Sequence, residues 1–437
     1  LKEEQKSKLV RAVGPLGLTA IAVNGVVGAG IFVMPATVAA LLGEASPAAY
    51  WVAGAAALLI ALSFAEAGSL YERAGGPYVY AREAFGAFVG FEVGWMFLLG
   101  RVAGAAAIAN AFAQYLGYLH PWLATPAGRA GAISGALFAI GAMNYVGVRY
   151  GAAIVNLLTV GKLLPLAVFA GVGLIVLDPR GFSLTTIPPF GPLREASLLL
   201  LFALGGFEFA SVPSEEVINP RKSLPRALIA GVVLGTVIYV LAQIVCLGTL
   251  PDAGQDKTPM ASAAARFLGS WGGLLMTLGA VLSTTGTNST ILLIGPRVLY
   301  ALARDGQLPA VFGRVHARYR TPHVSVAVFA LLTWAVALSG TFVQLAAMNA
   351  IARLLYSIST CASIPVLRKK MPDAEGRFTL PFGWTIPALG IAASAFLLTG
   401  MNRGQFAAGG IGMLVGTALY GVQRLRYDQA DPRATGK

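Results

Sequence analysis

Apolar residues in this chain fall in runs too long for a globular helix and too evenly apolar for an amphipathic one, with short polar connections between them. Against a hydrocarbon core of about 30 Å, runs of spanning length recur about twelve times. They cover Leu16 to Leu42, Pro47 to Leu70, Phe85 to Tyr118, Ala130 to Tyr145, Ala152 to Leu177, Ala196 to Pro213, Ala227 to Leu250, Leu274 to Ala303, Val324 to Leu338, Phe342 to Leu367, Trp384 to Met401 and Gln405 to Val422. A chain crossing lipid in single segments must satisfy its backbone N–H and C=O groups within each helix. The pattern therefore predicts an all-α membrane protein of about twelve transmembrane helices. The sizeable polar stretches, Tyr71 to Arg82, Ser214 to Arg226, Arg304 to Pro322 and Arg368 to Leu380, are too short for a soluble module. Residues 1–437 read as one polytopic unit, with the proline-rich segment Asp178 to Arg194 as a stiff connector.

Two of the runs are interrupted by glycine, the first at Gly25, Gly28 and Gly30 and the sixth at Gly205 and Gly206. Unwound backbone at bilayer depth occurs only where it lines a cavity or binds something. Breaks at corresponding places in two halves of a chain point to the substrate site of a secondary transporter. If five runs make one half and five the next, residues 12–177 form a first repeat and 191–367 a second, with 382–424 holding two further helices. An odd number of spans per repeat makes the halves inverted. No sequence identity between the halves is visible, so this expectation rests on topology and on where the breaks fall.

Composition agrees with a lipid environment: 56% of the 437 residues are hydrophobic, 12% are charged, and mean hydropathy is +0.71, which excludes an ordinary soluble protein. The net charge of +13 raises a nucleic-acid reading, but its distribution argues otherwise. Most Lys and Arg fall in alternate connections, densest at Lys2 to Arg11, Arg304 to Arg320 and Arg368 to Arg377. This is the positive-inside bias, so both termini are expected on the cytoplasmic side of the cell membrane, with no nucleic-acid partner. The first run is of spanning length and follows a basic leader, so no cleavable signal peptide is expected. Cys246 and Cys361 lie in separate apolar runs, and His120, His316 and His323 lie at connections or run ends. No metal framework, nucleophile elbow or HExxH is present, so neither an enzyme nor a cofactor is expected. A channel would need a filter or charged ring.

The breaks have a chemistry of their own. Gly28, Ala29, Gly30 and Ile31 open the second half of the first run, where free amides at a positive helix end suit a carboxylate. The first half of the sixth run leaves the carbonyls of Phe202, Ala203 and Gly205 at its end, suited to an ammonium. An α-amino acid would bridge the two. The bland alternative is that the glycines only permit close helix packing. Phe202 and Phe207 flank the second break and are candidates for walling or gating the pocket. Lys162 lies deep in the fifth run with no carboxylate in helical reach, and its charge there is expensive. It is a candidate for proton exchange during transport. Arg101, Glu92, Glu66, Glu208 and Arg353 are further charges within runs that need partners.

Four stretches carry a resemblance. They are Gly25 to Phe32 with Pro35; Ser63 to Glu66 followed by Tyr71 to Tyr78; Phe202 to Glu208 leading to Glu215, Glu216, Asn219 and Pro220; and Pro296 to Pro309 with Val315, His316, Thr321 and Pro322. In this order the chain resembles the amino acid, polyamine and organocation transporter superfamily over nearly its whole length. The resemblance implies the inverted-repeat fold shared with sodium-coupled amino acid transporters. It implies that the Val26 carbonyl joins those of Phe202 and Gly205 at the substrate amine, while Ala29 and Gly30 supply amides to the carboxylate. Many relatives have serine where this chain has Ala29, so carboxylate binding here would rest on backbone alone. Lys162 looks like the lysine that replaces sodium in sodium-independent members. The carbonyls of Asn24, Gly25, Val26 and Val27 and the hydroxyl of Ser283 or Thr284 are its candidate partners, and a permanently charged brace is the alternative. Glu208 is expected to face the site and to relay protons or brace the break. Glu66 and Arg353 are expected towards the cytoplasmic half, and Arg101 is a candidate contact for an acidic side chain. The function implied is secondary amino acid transport without sodium, by proton coupling or exchange. Neutral substrates are expected, polyamines or cationic amino acids are the alternative, and the oligomeric state is left open.

Overall fold

The computed structural model describes residues 14–71, 76–147, 152–183, 185–208, 219–372, 374 and 378–430. The basic leader, the continuation of the sixth run past Glu208, and Glu215 and Glu216 lie outside the described residues.

All regular structure among the described residues is helical: α1 (Pro15–Val26), α2 (Gly30–Leu42), α3 (Pro47–Leu70), α4 (Pro77–Phe85), α5 (Ala87–Leu119), α6 (Pro126–Val146), α7 (Ala152–Val176), α8 (Phe190–Ala203), α9 (Pro220–Thr249), α10 (Pro259–Leu268), α11 (Ser270–Arg304), α12 (His323–Ser339), α13 (Phe342–Lys370), α14 (Thr385–Leu398) and α15 (Arg403–Ala430), joined by short 3₁₀ turns. Proline begins α1, α3, α4, α6, α9 and α10, where its missing N–H costs nothing because the first turn has no acceptor for it. Each apolar run coincides with a helix, the sixth as far as Ala203. Helices α3, α5, α9, α13 and α15 are long and apolar enough to cross a membrane, and α1 with α2 meets the same test as one span bent by 45°.

Two helices were not foreseen. Part of the polar stretch Tyr71 to Arg82 was expected as a connection but folds as α4, bracketed by Gly76 and Gly86 at φ 55° and 94°. These left-handed corners let a short helix fold back beside α5. Helix α10 likewise precedes α11 across Gly269 at φ 68°.

Helix α5 is the central post, packed against α11, α12 and α13, and 83% of its apolar window is buried, against 6% for α15. Phe406 and Leu414 of α15 are each 70% exposed, an apolar surface that lipid tails would cover without cost. Close approach between helices rests on small residues. A Cβ on Gly54 of α3 would lie 2.5 Å from Thr236 of α9, and one on Gly235 of α9 would lie 2.4 Å from Val26 of α1. Helix α9 is thereby drawn against the end of α1.

Several buried polar groups pair across helices. Tyr50 donates to Gln243 (2.9 Å), and Asn349 donates to the Gly100 carbonyl (2.6 Å). At the end of the bundle where α3 finishes, Arg368 grips Glu66 through both carboxylate oxygens (2.6 and 2.7 Å), and the Leu380 amide adds a third donor at 3.0 Å. Nearby, Arg82 and Tyr78 of α4 both reach Asp305 at 2.5 Å, tying α4 to the end of α11.

Candidate substrate site

Three glycines in six residues weaken helix by about 1 kcal/mol each relative to alanine, and α1 stops at Val26. The Gly28 amide turns back to the Val26 carbonyl (2.9 Å), and α2 restarts at Gly30. Among the described residues, the amides of Ala29, Gly30 and Ile31 have no backbone carbonyl partner. They sit at the positive end of α2. At the other break, α8 ends at Ala203, and Gly206 at φ 100° swings its amide onto the Glu208 carboxylate at 3.0 Å.

The two breaks touch. A Cβ on Gly206 would stand 2.3 Å from the Gly25 carbonyl oxygen, and one on Gly30 would stand 2.6 Å from the Ala203 Cβ. Close packing is therefore one role of Gly30 and Gly206. It does not explain Gly28, whose Cβ would meet only Thr287, at 3.7 Å.

A cavity of about 40 Å³ lies at the contact, lined from the breaks by Gly25, Val26, Gly28, Ala29, Gly30, Phe202, Ala203 and Gly205. Ligand clefts are typically about 300–1,000 Å³, so the lining must separate to admit an amino acid. Ile31 and Phe207 do not line the cavity. Ile31 offers only its amide, and Phe207 packs edge-on against Phe64 (centroids 6.0 Å apart). A second cavity, of about 540 Å³, opens between α2, the end of α5 and the start of α13. Phe202 borders the first cavity and Phe342 the second, and their rings meet edge to face at 5.5 Å. An aromatic pair therefore separates the two spaces.

Tyr239 of α9 was not foreseen. Its hydroxyl lies 3.2 Å from the Val26 carbonyl and 3.1 Å from the Ala203 carbonyl, bridging the breaks. This corrects the expectation that Val26 and Ala203 present open carbonyls, and the Phe202 carbonyl accepts the Gly205 amide at 3.4 Å. The available signal was a tyrosine inside an apolar run, since a buried phenol needs a partner. In Tyr239→Phe the breaks lose their shared donor, worth about 1–1.5 kcal/mol. Proteoliposome uptake is expected to fall about five- to tenfold, with the thermal midpoint reporting any general loss of fold.

Lys162 of α7 donates to the carbonyls of Asn24 and Val27, both at 2.7 Å, at the negative end of α1. Of the other two candidate carbonyls, that of Gly25 lies against Gly206, and that of Val26 accepts from Gly28 and Tyr239. The hydroxyls proposed from α11 do not join Lys162. Thr284 bonds back to the Ala280 carbonyl at 2.7 Å, as threonine in a helix readily does. The Ser283 hydroxyl is buried without a partner among the described residues.

The intramembrane charges sort themselves around Glu208. Its Oε1 accepts from Arg353 (2.6 Å), Arg101 (3.3 Å) and Tyr356 (3.3 Å). Arg353, expected towards the cytoplasmic half, has its guanidinium over Gly205 and lines the cavity with Arg101. Arg353 lies eleven residues into α13, about 16 Å along its axis, and Glu208 supplies the opposite charge there. Glu92 is not a partner of Arg101; it accepts from Thr417 of α15 at 2.9 Å.

Comparison with known proteins adds family and relatives. Residues 13–410 match the model of a family described as amino acid permease. The chain is 28% identical to a branched-chain amino acid permease of Bacillus subtilis (strain 168), covering 95% of this chain and 93% of that one. It is also 28% identical to a serine/threonine exchanger of the same organism, covering 95% and 98%. A third relative, cationic amino acid transporter 4 of Mus musculus, is 29% identical over 84% of this chain and 61% of its own.

Proposed function

The chain belongs to the amino acid permease family, and on that premise we propose that it carries α-amino acids by alternating access, gripping the α-carboxylate at the first break and the α-ammonium at the second. The observation that carries this reading is the contact between the breaks, which sets the amides at the start of α2, with no backbone carbonyl partner among the described residues, beside the carbonyl end of α8. Opposite partial charges side by side match a zwitterion whose charged groups share one carbon. The arrangement inferred is twelve spans, with 12–177 and 191–367 as inverted repeats, 382–424 as two added helices and both termini cytoplasmic.

Transport is proposed to run without sodium, because the Lys162 ammonium already bridges the carbonyls a cation would join. Proton symport and exchange both fit this geometry. Phe202 with Phe342 acts as the outer aromatic gate, and Glu208 holds the second break to α5 and α13. Polyamines and cationic amino acids are the weaker alternative, since Arg101 and Arg353 line the cavity and repel a cationic side chain. A channel is weaker still, because a paired zwitterion clamp opposes fast permeation.

The test uses a transported amino acid, its decarboxylated amine and its deaminated acid in a calorimetric binding assay on purified protein. Each analogue leaves one break without its charged partner, so each is expected to bind at least about tenfold more weakly, for a loss of about 1.5–3 kcal/mol. Equal binding of either analogue contradicts the clamp.

A further inference from the structure

We propose that Asn349 sets the specificity of this site: its amide oxygen accepts a hydrogen bond from the substrate's side-chain hydroxyl, so that serine and threonine are preferred to amino acids of the same shape without it. The proposal rests on the zwitterion reading above for the position of the α-carbon. With the α-carboxylate and α-ammonium held at the two breaks, the substrate's side chain is left to face the rest of the cavity wall. That wall comes from α5, α11 and α13, and includes Gly104, Ile108, Thr287, Ile291 and Asn349.

Asn349 is 6% exposed. Its Nδ2 donates to the Gly100 carbonyl at 2.6 Å and lies so close to α5 that a Cβ on Gly104 would stand 2.8 Å from it. Turning the amide over would set Oδ1 against the Gly100 carbonyl, oxygen against oxygen, so its orientation is fixed. Oδ1 is the atom that remains, and it is buried without a partner among the described residues. A buried acceptor left unsatisfied bears its full desolvation penalty until a donor reaches it. The Thr287 hydroxyl donates its hydrogen to the Ser283 carbonyl at 2.8 Å, so it too has only acceptor capacity left. Ile108 and Ile291, 3% and 4% exposed, make the wall beside these two acceptors apolar. Such a wall matches a small side chain with one donor, and a hydroxyl is the smallest donor, in keeping with a cavity of about 40 Å³. Serine supplies the donor, and threonine adds a methyl for the isoleucines. Valine, with a methyl in place of the hydroxyl, leaves Oδ1 unpaired when the lining closes on it.

The experiment compares threonine with valine and serine with 2-aminobutyrate, pairs that differ by hydroxyl for methyl, by calorimetric binding to wild-type protein, alongside the other amino acids. Each hydroxyl amino acid is expected to bind about tenfold or more tightly than its partner. In Asn349→Leu this ratio is expected to collapse towards one. An amide that only ties α13 to α5 would on removal weaken every ligand alike, so the ratio separates recognition from structure, and if the variant fails to fold the wild-type ratio still decides. Valine binding as tightly as threonine, an amino acid without a hydroxyl binding tightest of all, or an unchanged ratio in a folded Asn349→Leu overturns the hydroxyl subsite while the zwitterion clamp stands. Absence of binding by any amino acid overturns both.

Discussion

Uptake by Gly30→Ala is expected to fall by about five- to 150-fold, which is what an overpacking cost of about 1–3 kcal/mol implies. One methyl suffices because of where it would go. The new Cβ would lie 2.6 Å from the Ala203 Cβ, 2.8 Å from the Ala203 Cα and 3.1 Å from the Tyr239 hydroxyl. Two of these are atoms that no rotamer change can move, so α2 and α8 must part, and the amides of one break lose their alignment with the carbonyls of the other. Gly28→Ala is a different experiment. Its Cβ meets only the Thr287 side chain, at 3.7 Å, so the fold should hold while the methyl takes space from a cavity of about 40 Å³. That variant should show a raised KM with a near wild-type thermal midpoint. Gly135→Ala on α6, where nothing lies within 4 Å, is the control. Proteoliposome uptake and thermal unfolding separate the three, and wild-type uptake by a well-folded Gly30→Ala would sink the assignment of this contact.

Lys162→Ala is expected to remove most net transport, more than about tenfold, because two buried carbonyls lose a charge-assisted donor worth about 1.5–3 kcal/mol each. Lys162 is the one buried lysine among the described residues, and it ties α7 to the broken end of α1 through Asn24 and Val27 at 2.7 Å. Wild-type uptake should be unchanged when sodium is replaced by choline or potassium. The protonated ammonium holds α1 to α7 and deprotonation loosens that grip, so a lysine that exchanges its proton couples pH to the position of α1. The pH dependence of uptake is then lost in Lys162→Ala, while substrate binding at the untouched breaks remains measurable. A strict sodium requirement refutes the ion-substitute role, and an unchanged pH profile in the variant leaves Lys162 as a brace.

What the chain shows on its face is whatever depends on near neighbours in sequence. Runs of apolar residues settle where helices lie, because the cost of exposing a peptide group to lipid is local. Glycines at 25, 28 and 30 and at 205 and 206 mark the breaks, because helix propensity is local too. Lys162 stood out as a charge with no partner in helical reach. Local rules also account for two misses: Thr284 found an acceptor four residues back in its own helix, and α4 formed between two left-handed glycines.

Tertiary structure alone decided which distant groups meet. Glu208 joins Arg101 and Arg353 across separations of 107 and 145 residues, and Tyr239 bridges breaks that lie 213 and 36 residues from it. No periodicity encodes such pairs. They follow from the small residues that let α9 approach α1 and bring the breaks into contact. Once buried together, charges and hydroxyls choose partners by the desolvation penalty each would otherwise bear. The sequence determined that the chain has two breaks and charges within its apolar runs, and packing determined that the breaks meet at one cavity with the guanidiniums of Arg101 and Arg353 on its wall.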